Sequence, residues 1–175
     1  MIKQIFAAVL LIGVVALLAF SVDTSEGKIV VRHGNVEKKP LEIELNKYLC
    51  FESKVLISDL NNTAQAVMPN GDTYFFYDIS NSFTWLMRQK NKEDIVLWVY
   101  SQDTGRYILA KDAWYSRVDI TPMGYGIGAY EYHVYGINDN YFEDVMLYAA
   151  RGETLINPLI FILLSEIGRR IKFSF

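Results

Sequence analysis

The sequence AQAVMPNGDTYFFYDIS, at residues 64–80, decides how the fold is predicted. Two apolar runs, 64–68 and 73–77, flank the turn sequence Pro69-Asn70-Gly71-Asp72. Because an Asn-Gly pair supplies the positive φ angles of a tight turn, this stretch predicts a β-hairpin. Asp78-Ile79-Ser80 follows directly and offers side chains that can cap a helix.

The flanking sequence extends this hairpin into a half-domain. On the amino-terminal side, residues 41–45 alternate between apolar and polar side chains, which predicts a half-buried strand. On the other side, the predicted helix precedes residues 95–100, an apolar run typical of a central strand covered on both sides. The side chains on one face of that helix are Ile79, Phe83, Leu86, Met87 and Lys90.

A second half repeats this order of elements. Strands are predicted at residues 106–109, 113–118 and 125–135. Residues 138–140 can cap a helix that Gly152 ends. Two related halves, each rich in strands and containing one helix, predict an α+β domain over residues 41–153.

The composition excludes several classes of function. Half of the 175 residues are apolar (51%), so the chain can bury a core. A net charge of −3 leaves no large basic surface for nucleic acid. The single cysteine excludes an intramolecular disulfide and a zinc site built from several thiolates. The acidic residues show no paired catalytic spacing and no HExxH motif, so a hydrolase is not indicated.

The amino terminus carries a membrane segment. The 18 residues from Ile5 to Val22 contain no charge, and a helix of that length spans about 27 Å, close to the hydrocarbon core of a bilayer. Lys3 precedes the segment and acidic residues follow it, which places the remainder of the chain outside the cytoplasm. The length favours an uncleaved anchor at residues 1–22, and a signal peptide cleaved after Ala19-Phe20-Ser21 is the alternative.

Two further segments flank the predicted domain. Residues 23–40 are polar, contain Gly27, Gly34 and Pro40, and are typical of a tether. Residues 154–175 contain Asn157-Pro158, a helix start, followed by an amphipathic pattern with a basic end. This carboxyl-terminal helix could lie on anionic lipid headgroups or bind another protein. Docking on its own domain is the favoured interpretation, because most amphipathic helices pack inward.

The candidate chemistry lies in sulfur-containing side chains. In the sequence TPMGYGIG, residues 121–128, alternate glycines leave one side of the chain open to close approach, and Pro122 stiffens the backbone before Met123. Cys50 is either a small buried side chain or a ligand, since thiolate and thioether groups suit Cu(I). It could also be a nucleophile with His33 or His133 as its base.

Four stretches together resemble a known family. They are CFESKVLI at residues 50–57, NGDTYFFYDI at 70–79, DAWY at 112–115 and TPMGYG at 121–126. Over residues 46–130 the chain resembles the nitrous-oxide-reductase accessory protein family, NosL. The resemblance implies a membrane-tethered periplasmic protein, single-pass in the inner membrane, with two ββαβ-like halves similar to organomercurial lyases. Members of the family bind one Cu(I) and deliver copper to nitrous oxide reductase together with a membrane transporter complex.

The metal motif of the family is only partly present. It has the pattern Cys-x-x-Cys-x-Met, joined by the methionine of the Pro-Met-Gly stretch. Cys50 matches the first cysteine, Ser53 and Val55 replace the second cysteine and the methionine, and Met123 keeps a ligand position. The resemblance therefore predicts a weaker Cu(I) site made by Cys50 and Met123, with Met68 as a possible third ligand. A metal-free interaction subunit, docking through the carboxyl-terminal helix, and a thiol enzyme are the alternatives.

Overall fold

The computed structural model describes residues 28–134, 136 and 139–172, with side chains in the last helix described up to residue 166. The predicted membrane segment at residues 1–22 lies outside these residues. Within the described part of the chain, no helix is both long and apolar enough to cross a bilayer.

Seven strands form a single sheet. They are β1 (Val31–Arg32), β2 (Ala64–Val67), β3 (Thr73–Phe76), β4 (Val96–Ser101), β5 (Arg106–Leu109), β6 (Trp114–Ser116) and β7 (Gly128–Tyr130). The order across the sheet is β1-β3-β2-β4-β7-β6, and β5 pairs separately with β4. All pairs are antiparallel except that of β4 with β7. Together with the helices this confirms the predicted α+β class.

Among the described residues, three α-helices accompany this sheet: α1 (Ile79–Met87), α2 (Phe142–Ala150) and α3 (Pro158–Lys172). Helices α1 and α2 pack against each other and share the main core with the sheet. In that core the Phe83 ring makes edge-to-face contact with Tyr115 at 5.5 Å and with Phe142 at 5.6 Å. Val145 and Ala149 of α2 are buried there.

Adjacent side chains of β3 lie on opposite faces of the sheet and pack in different cores. Successive side chains of a strand point to opposite faces, so Phe75 and Phe76 belong to different cores. Phe76 joins the main core beneath α1, whereas Phe75 packs with Ile43, Tyr48 and Ile57 in a second, smaller cluster. Side chains of the segment 41–60 therefore cover the face opposite the helices, except Cys50 and Phe51, which pack in the main core.

The predicted hairpin is confirmed, but its turn differs from the expectation. β2 and β3 pair from Ala64–Phe76 to Val67–Thr73, and Met68 N–H donates to Asp72 O at 2.8 Å. The loop thus has three residues rather than two, and within it only Gly71 has a positive φ, +86°. A loop of this length places its left-handed residue last, so the glycine is needed and the asparagine is not.

The expectation of a strand at residues 41–45 is wrong. Ile43 is buried as the alternation requires, but the backbone of Leu41 bonds to a side chain instead of a neighbouring strand. The Leu41 N–H donates to Gln65 Oε1, and Gln65 Nε2 donates to Leu41 O, both at 2.8 Å. A buried amide side chain thus takes the place of a strand's peptide group.

The segment predicted to be a tether contributes to the domain over its described residues. Val31 and Arg32 form β1 and pair with β3. The buried Asn35 side chain donates to Lys39 O at 2.7 Å and to Thr73 Oγ1 at 3.0 Å. These contacts fix residues 28–40 against the sheet, and residues 23–27 lie outside the described part.

The first half of the predicted domain is found in the expected order, β2-β3-α1-β4. In the second half, β6 and β7 are shorter than predicted, and α2 begins at Phe142 rather than after residues 138–140. Asn140 is instead held beside β6 by reciprocal backbone hydrogen bonds with Tyr115, at 2.9 and 3.0 Å. Among the described residues, α2 is followed by the loop 151–157 and helix α3.

Helix α3 begins where the sequence predicts, with Asn157 Oδ1 accepting from Leu159 N–H at 3.1 Å. The expectation that it docks on its own domain stays a prediction, because Ile160 and Leu164 are half-buried and the side chains after Glu166 lie outside those described. Leu159, Phe161, Ile162 and Leu163 are each more than half exposed, and none of the side chains from Pro158 to Glu166 is buried.

Candidate functional site

Asp78 joins two distant parts of the chain at the start of α1. It follows β3, caps the helix and is fully buried. Its Oδ1 accepts from Ser80 N–H at 3.0 Å, and its Oδ2 accepts from Met123 N–H at 3.2 Å. Burial raises the pKa of this carboxyl, and hydrogen bonds from Thr121 and from the Ser80 and Met123 amides act in the opposite direction.

Cys50 reaches the same turn of α1 from another loop. Cys50 N–H donates to Val55 O at 2.8 Å and Lys54 N–H donates to Cys50 O at 3.0 Å, which closes the loop 50–55. The thiol is fully buried, and Asn81 Nδ2 donates to its sulfur at 3.8 Å. Asn81 lies three residues after Asp78, so the segments carrying Cys50 and Met123 both bond to the first turn of α1.

Tyr125 lies two residues after Met123 in the same loop. Burial raises the pKa of its phenol, and electrostatic interactions with Asp78, Cys50 and Glu52 act in the same direction. The ring is half-buried, and the neighbourhood is partly open to solvent.

Glycines shape the loop that holds Met123 and Tyr125. Gly124 and Gly126 have φ angles of +73° and +89°, which side chains disfavour. A Cβ at Gly126 would lie 2.5 Å from the Leu155 side chain and 2.9 Å from Arg117 O. The close approach that the alternate glycines predicted is therefore made here by the protein itself, and the half-buried Met123 follows from this loop geometry.

Met68 lies away from this neighbourhood. It follows β2 at the turn end of the hairpin, four residues after Ala64, which corresponds to about 13 Å along the strand from the Ala64–Phe76 pair. Asp78 follows the opposite end of the hairpin. The structure thus brings the segments of Cys50 and Met123 to the start of α1, whereas Met68 lies at the turn end of the hairpin.

Ser53 and Val55, where the chain differs from the NosL motif that it resembles, have different surroundings. The Ser53 hydroxyl is buried and has no hydrogen-bond partner among the described residues. The Val55 side chain is 41% exposed. The Ser53 side chain, three residues after Cys50 in the sequence, therefore faces the protein interior, while the Val55 side chain faces solvent.

The histidines are engaged elsewhere. His33 Nδ1 lies 2.5 Å from Asp72 Oδ1, at the hairpin turn. His133 stacks on Trp114 with ring centres 4.2 Å apart, and its Nε2 lies 3.0 Å from Asp139 Oδ2. Within the described chain, neither histidine bonds to Cys50, so a thiol–imidazole pair is not formed there.

No group of three or more His, Cys, Asp or Glu side chains suited to a metal ion occurs in the described ranges. A metal site at the start of α1 would therefore depend on methionine as well as cysteine. No protein-family model matches the chain, and a search of curated proteins found no significant match.

Sequence reasoning did not identify the residues that link the Cys50 and Met123 loops to the start of α1. It identified Asp78 as a helix cap, but nothing local signalled that the second carboxylate oxygen binds the Met123 amide 45 residues later. Asn81 and Tyr125 were not singled out. The available signal for Tyr125 was its place inside the TPMGYG stretch.

Proposed function

We propose that this protein is a membrane-anchored, periplasmic copper-handling protein that binds one Cu(I) through Cys50 and Met123. The observation that carries the proposal is the convergence of the two loops. Cys50 bonds to Asn81 and Met123 bonds to Asp78, two residues in the same helical turn. In the role implied by the NosL resemblance, the copper is cargo for nitrous oxide reductase, delivered together with a membrane transporter complex.

The donor chemistry supports a soft monovalent ion. Thiolate and thioether sulfur favour Cu(I) over the hard cations that oxygen ligands prefer. The Cys50 side chain is buried and Met123 is half-buried, so a bound ion would be largely shielded from water. Ser53 offers only a hydroxyl, which is a poor ligand for Cu(I), and we therefore expect weaker binding than a site with two cysteines would give.

The fold is compatible with this assignment. The order β2-β3-α1-β4 is one ββαβ unit, as expected for half of a NosL-like domain. The second half is proposed to be a divergent copy, in which β6, β7 and α2 are retained. The predicted anchor at residues 1–22 would hold the domain at the periplasmic side of the inner membrane.

Copper affinity tests the proposal directly. The full chain in mild detergent is titrated without oxygen against a competing Cu(I) chelator, alongside Cys50→Ala and Met123→Leu. We expect one Cu(I) per chain and about tenfold or greater weakening in each variant, equivalent to at least about 1.4 kcal/mol. Met68→Leu is the matched control, and its affinity should equal that of the wild type. Equal affinity in all four proteins would refute the site.

Position 53 provides a gain-of-function test. Because the Ser53 hydroxyl is enclosed and unpartnered, its replacement by the similar-sized thiol adds a soft donor without breaking a hydrogen bond. Ser53→Cys should therefore tighten Cu(I) binding, whereas Val55→Cys, at a position 41% exposed, should change it less. Equal effects of the two substitutions would contradict this geometry.

A second candidate is a metal-free interaction subunit that docks through α3. The exposed apolar side chains of that helix favour it. Ligand binding raises thermal stability by mass action, so a metal-free protein should show no rise in Tm when Cu(I) is added. Copper content near zero after anaerobic purification, together with an unchanged Tm, would favour this second function.

A further inference from the structure

Helix α3 presents an unusually apolar surface for the end of a domain. Leu159 is 76% exposed, and Phe161, Ile162 and Leu163 are each 52–53% exposed. The preceding loop continues this surface, because Ile156 is 56% exposed. Because an α-helix advances about 100° per residue, Leu159, Ile162 and Leu163 fall on one side of α3. Exposed apolar surface of this kind marks a site that another phase or molecule covers.

The charge along the helix indicates the nature of that covering surface. The last seven residues of α3 contain three cations, Arg169, Arg170 and Lys172, against one anion, Glu166. The whole chain has a net charge of −3, so positive charge is concentrated at this end against the overall balance. Apolar side chains followed by a basic cluster are typical of helices that lie on anionic lipid.

A series of hydrogen bonds connects the first described residues of the domain with the start of α3. Leu49 N–H donates to Ile29 O at 2.9 Å, next to Cys50, whose sulfur accepts from Asn81 at the start of α1. The Met123 N–H donates to Asp78 in the same turn, and two residues after Met123 the Leu155 N–H donates to Tyr125 O at 3.0 Å. Three residues later α3 begins. A short series of contacts therefore links residue 29 with the start of the helix.

We propose that α3 lies in the interfacial layer of an anionic bilayer, the same bilayer that the predicted anchor would enter. Its 15 residues measure about 22 Å, too short to span the hydrocarbon core but suited to lying along it. The start of α1, with Cys50 and Met123, is then held near the membrane surface. The inference relies on the predicted anchor and is independent of whether copper is bound.

Spin-label accessibility measures the position of α3 in the full chain. Single cysteines are placed at Ile162 and Leu163, which are both exposed, in a Cys50→Ser background, with Asn61, an exposed residue of the domain, as the control site. Each protein is reconstituted in nanodiscs of phosphatidylcholine with 30% phosphatidylglycerol, about the anionic content of a bacterial membrane, and in phosphatidylcholine alone. Oxygen reports lipid exposure, and a water-soluble nickel chelate reports water exposure.

We expect oxygen to relax both α3 labels more than the nickel chelate does, with the reverse order at Asn61. Removing phosphatidylglycerol should raise nickel accessibility at both α3 labels. Nickel accessibility equal to that at Asn61 would show that α3 is in water and would overturn the proposal. Protection of both α3 labels from both reagents would show a protein contact, from a second copy or another chain, and would also overturn it. Neither result depends on copper affinity, so the two proposals fail separately.

Discussion

Replacing Gly126 with alanine tests whether the loop holding Met123 is fixed by the close contact with the chain before α3. The residue has a φ of +89°, and an added Cβ would lie 2.5 Å from the Leu155 side chain and 2.9 Å from Arg117 O. Gly152, which ends α2, has a φ of +70° and nothing within 4 Å of an added Cβ. The two glycines therefore share the backbone requirement and differ in the available space.

The expected magnitudes follow from this difference. Alanine at a positive φ costs about 1–2 kcal/mol at either position. Overpacking at Gly126 adds about 1–3 kcal/mol, because a backbone carbonyl cannot move as a side chain can. Gly126→Ala should therefore lower the free energy of unfolding by about 2–5 kcal/mol, and Gly152→Ala by about 1–2 kcal/mol.

Thermal unfolding of the full chain in mild detergent, followed by tryptophan fluorescence, measures both variants under one condition. The Cu(I) titration is then repeated at a temperature where both are folded. We expect Gly126→Ala alone to weaken copper binding, since it displaces the segment that carries Met123. Equal loss of stability in the two variants would refute the argument from close contact, and unchanged copper affinity in Gly126→Ala would refute the coupling of the loop to the site.

Three further predictions concern buried polar groups. Asp78→Ala should lower the free energy of unfolding by about 0.5–2 kcal/mol through loss of the helix cap. Because burial raises the pKa of Asp78, ionisation destabilises the folded wild type as pH rises from about 4. The cost of Asp78→Ala, measured by thermal unfolding, should therefore shrink towards pH 7, and a growing cost would contradict this sign. Gln65→Leu leaves the Leu41 N–H and C=O without their partner, which should lower the free energy of unfolding by about 1–3 kcal/mol. Hydrogen exchange at the Leu41 amide should become faster, and unchanged exchange would contradict the bridging role of Gln65. Burial raises the pKa of Tyr107 to about 12, so Tyr107→Phe should remove one late step from the alkaline absorbance titration of the folded protein, and removal of an early step would disprove the assignment.

Local elements could be predicted from the sequence because their causes are local. The hairpin depends on a turn between two apolar runs, α1 begins at a residue whose side chain caps it, and β5 was found at residues 106–109 as predicted. The turn of the hairpin was less accurately predicted because two-residue and three-residue loops both use glycine. In each case the determining contacts lie within a few residues.

Alternation of apolar residues was a weaker guide where the hydrogen-bond partner was distant. Residues 41–45 have the pattern of a strand, and Ile43 is buried as that pattern requires. The peptide groups of Leu41 instead bond to Gln65, a residue 24 positions away. Periodicity predicts which side chains are buried, but it does not determine whether a neighbouring strand or a side chain satisfies the backbone.

The candidate site illustrates the same limit at longer range. Cys50, Asp78 and Met123 are separated by 28 and 45 residues, and no spacing rule connects them. Only the family resemblance associated Cys50 with Met123, and it did so without identifying Asp78 or Asn81. Their role depends on two loops meeting at one helical turn, which is a property of the tertiary structure.

The bonds that hold these loops do not depend on the two positions where the chain differs from the NosL motif. The loop 50–55 is closed by backbone bonds of Cys50 with Lys54 and Val55, and it is linked to α1 by the Asn81 amide. The Met123 loop is held through its backbone by Asp78. None of these contacts uses the side chain of Ser53 or Val55. Substitutions at positions 53 and 55 therefore change the donor atoms near Cys50 in the sequence without removing a contact that positions Cys50 or Met123.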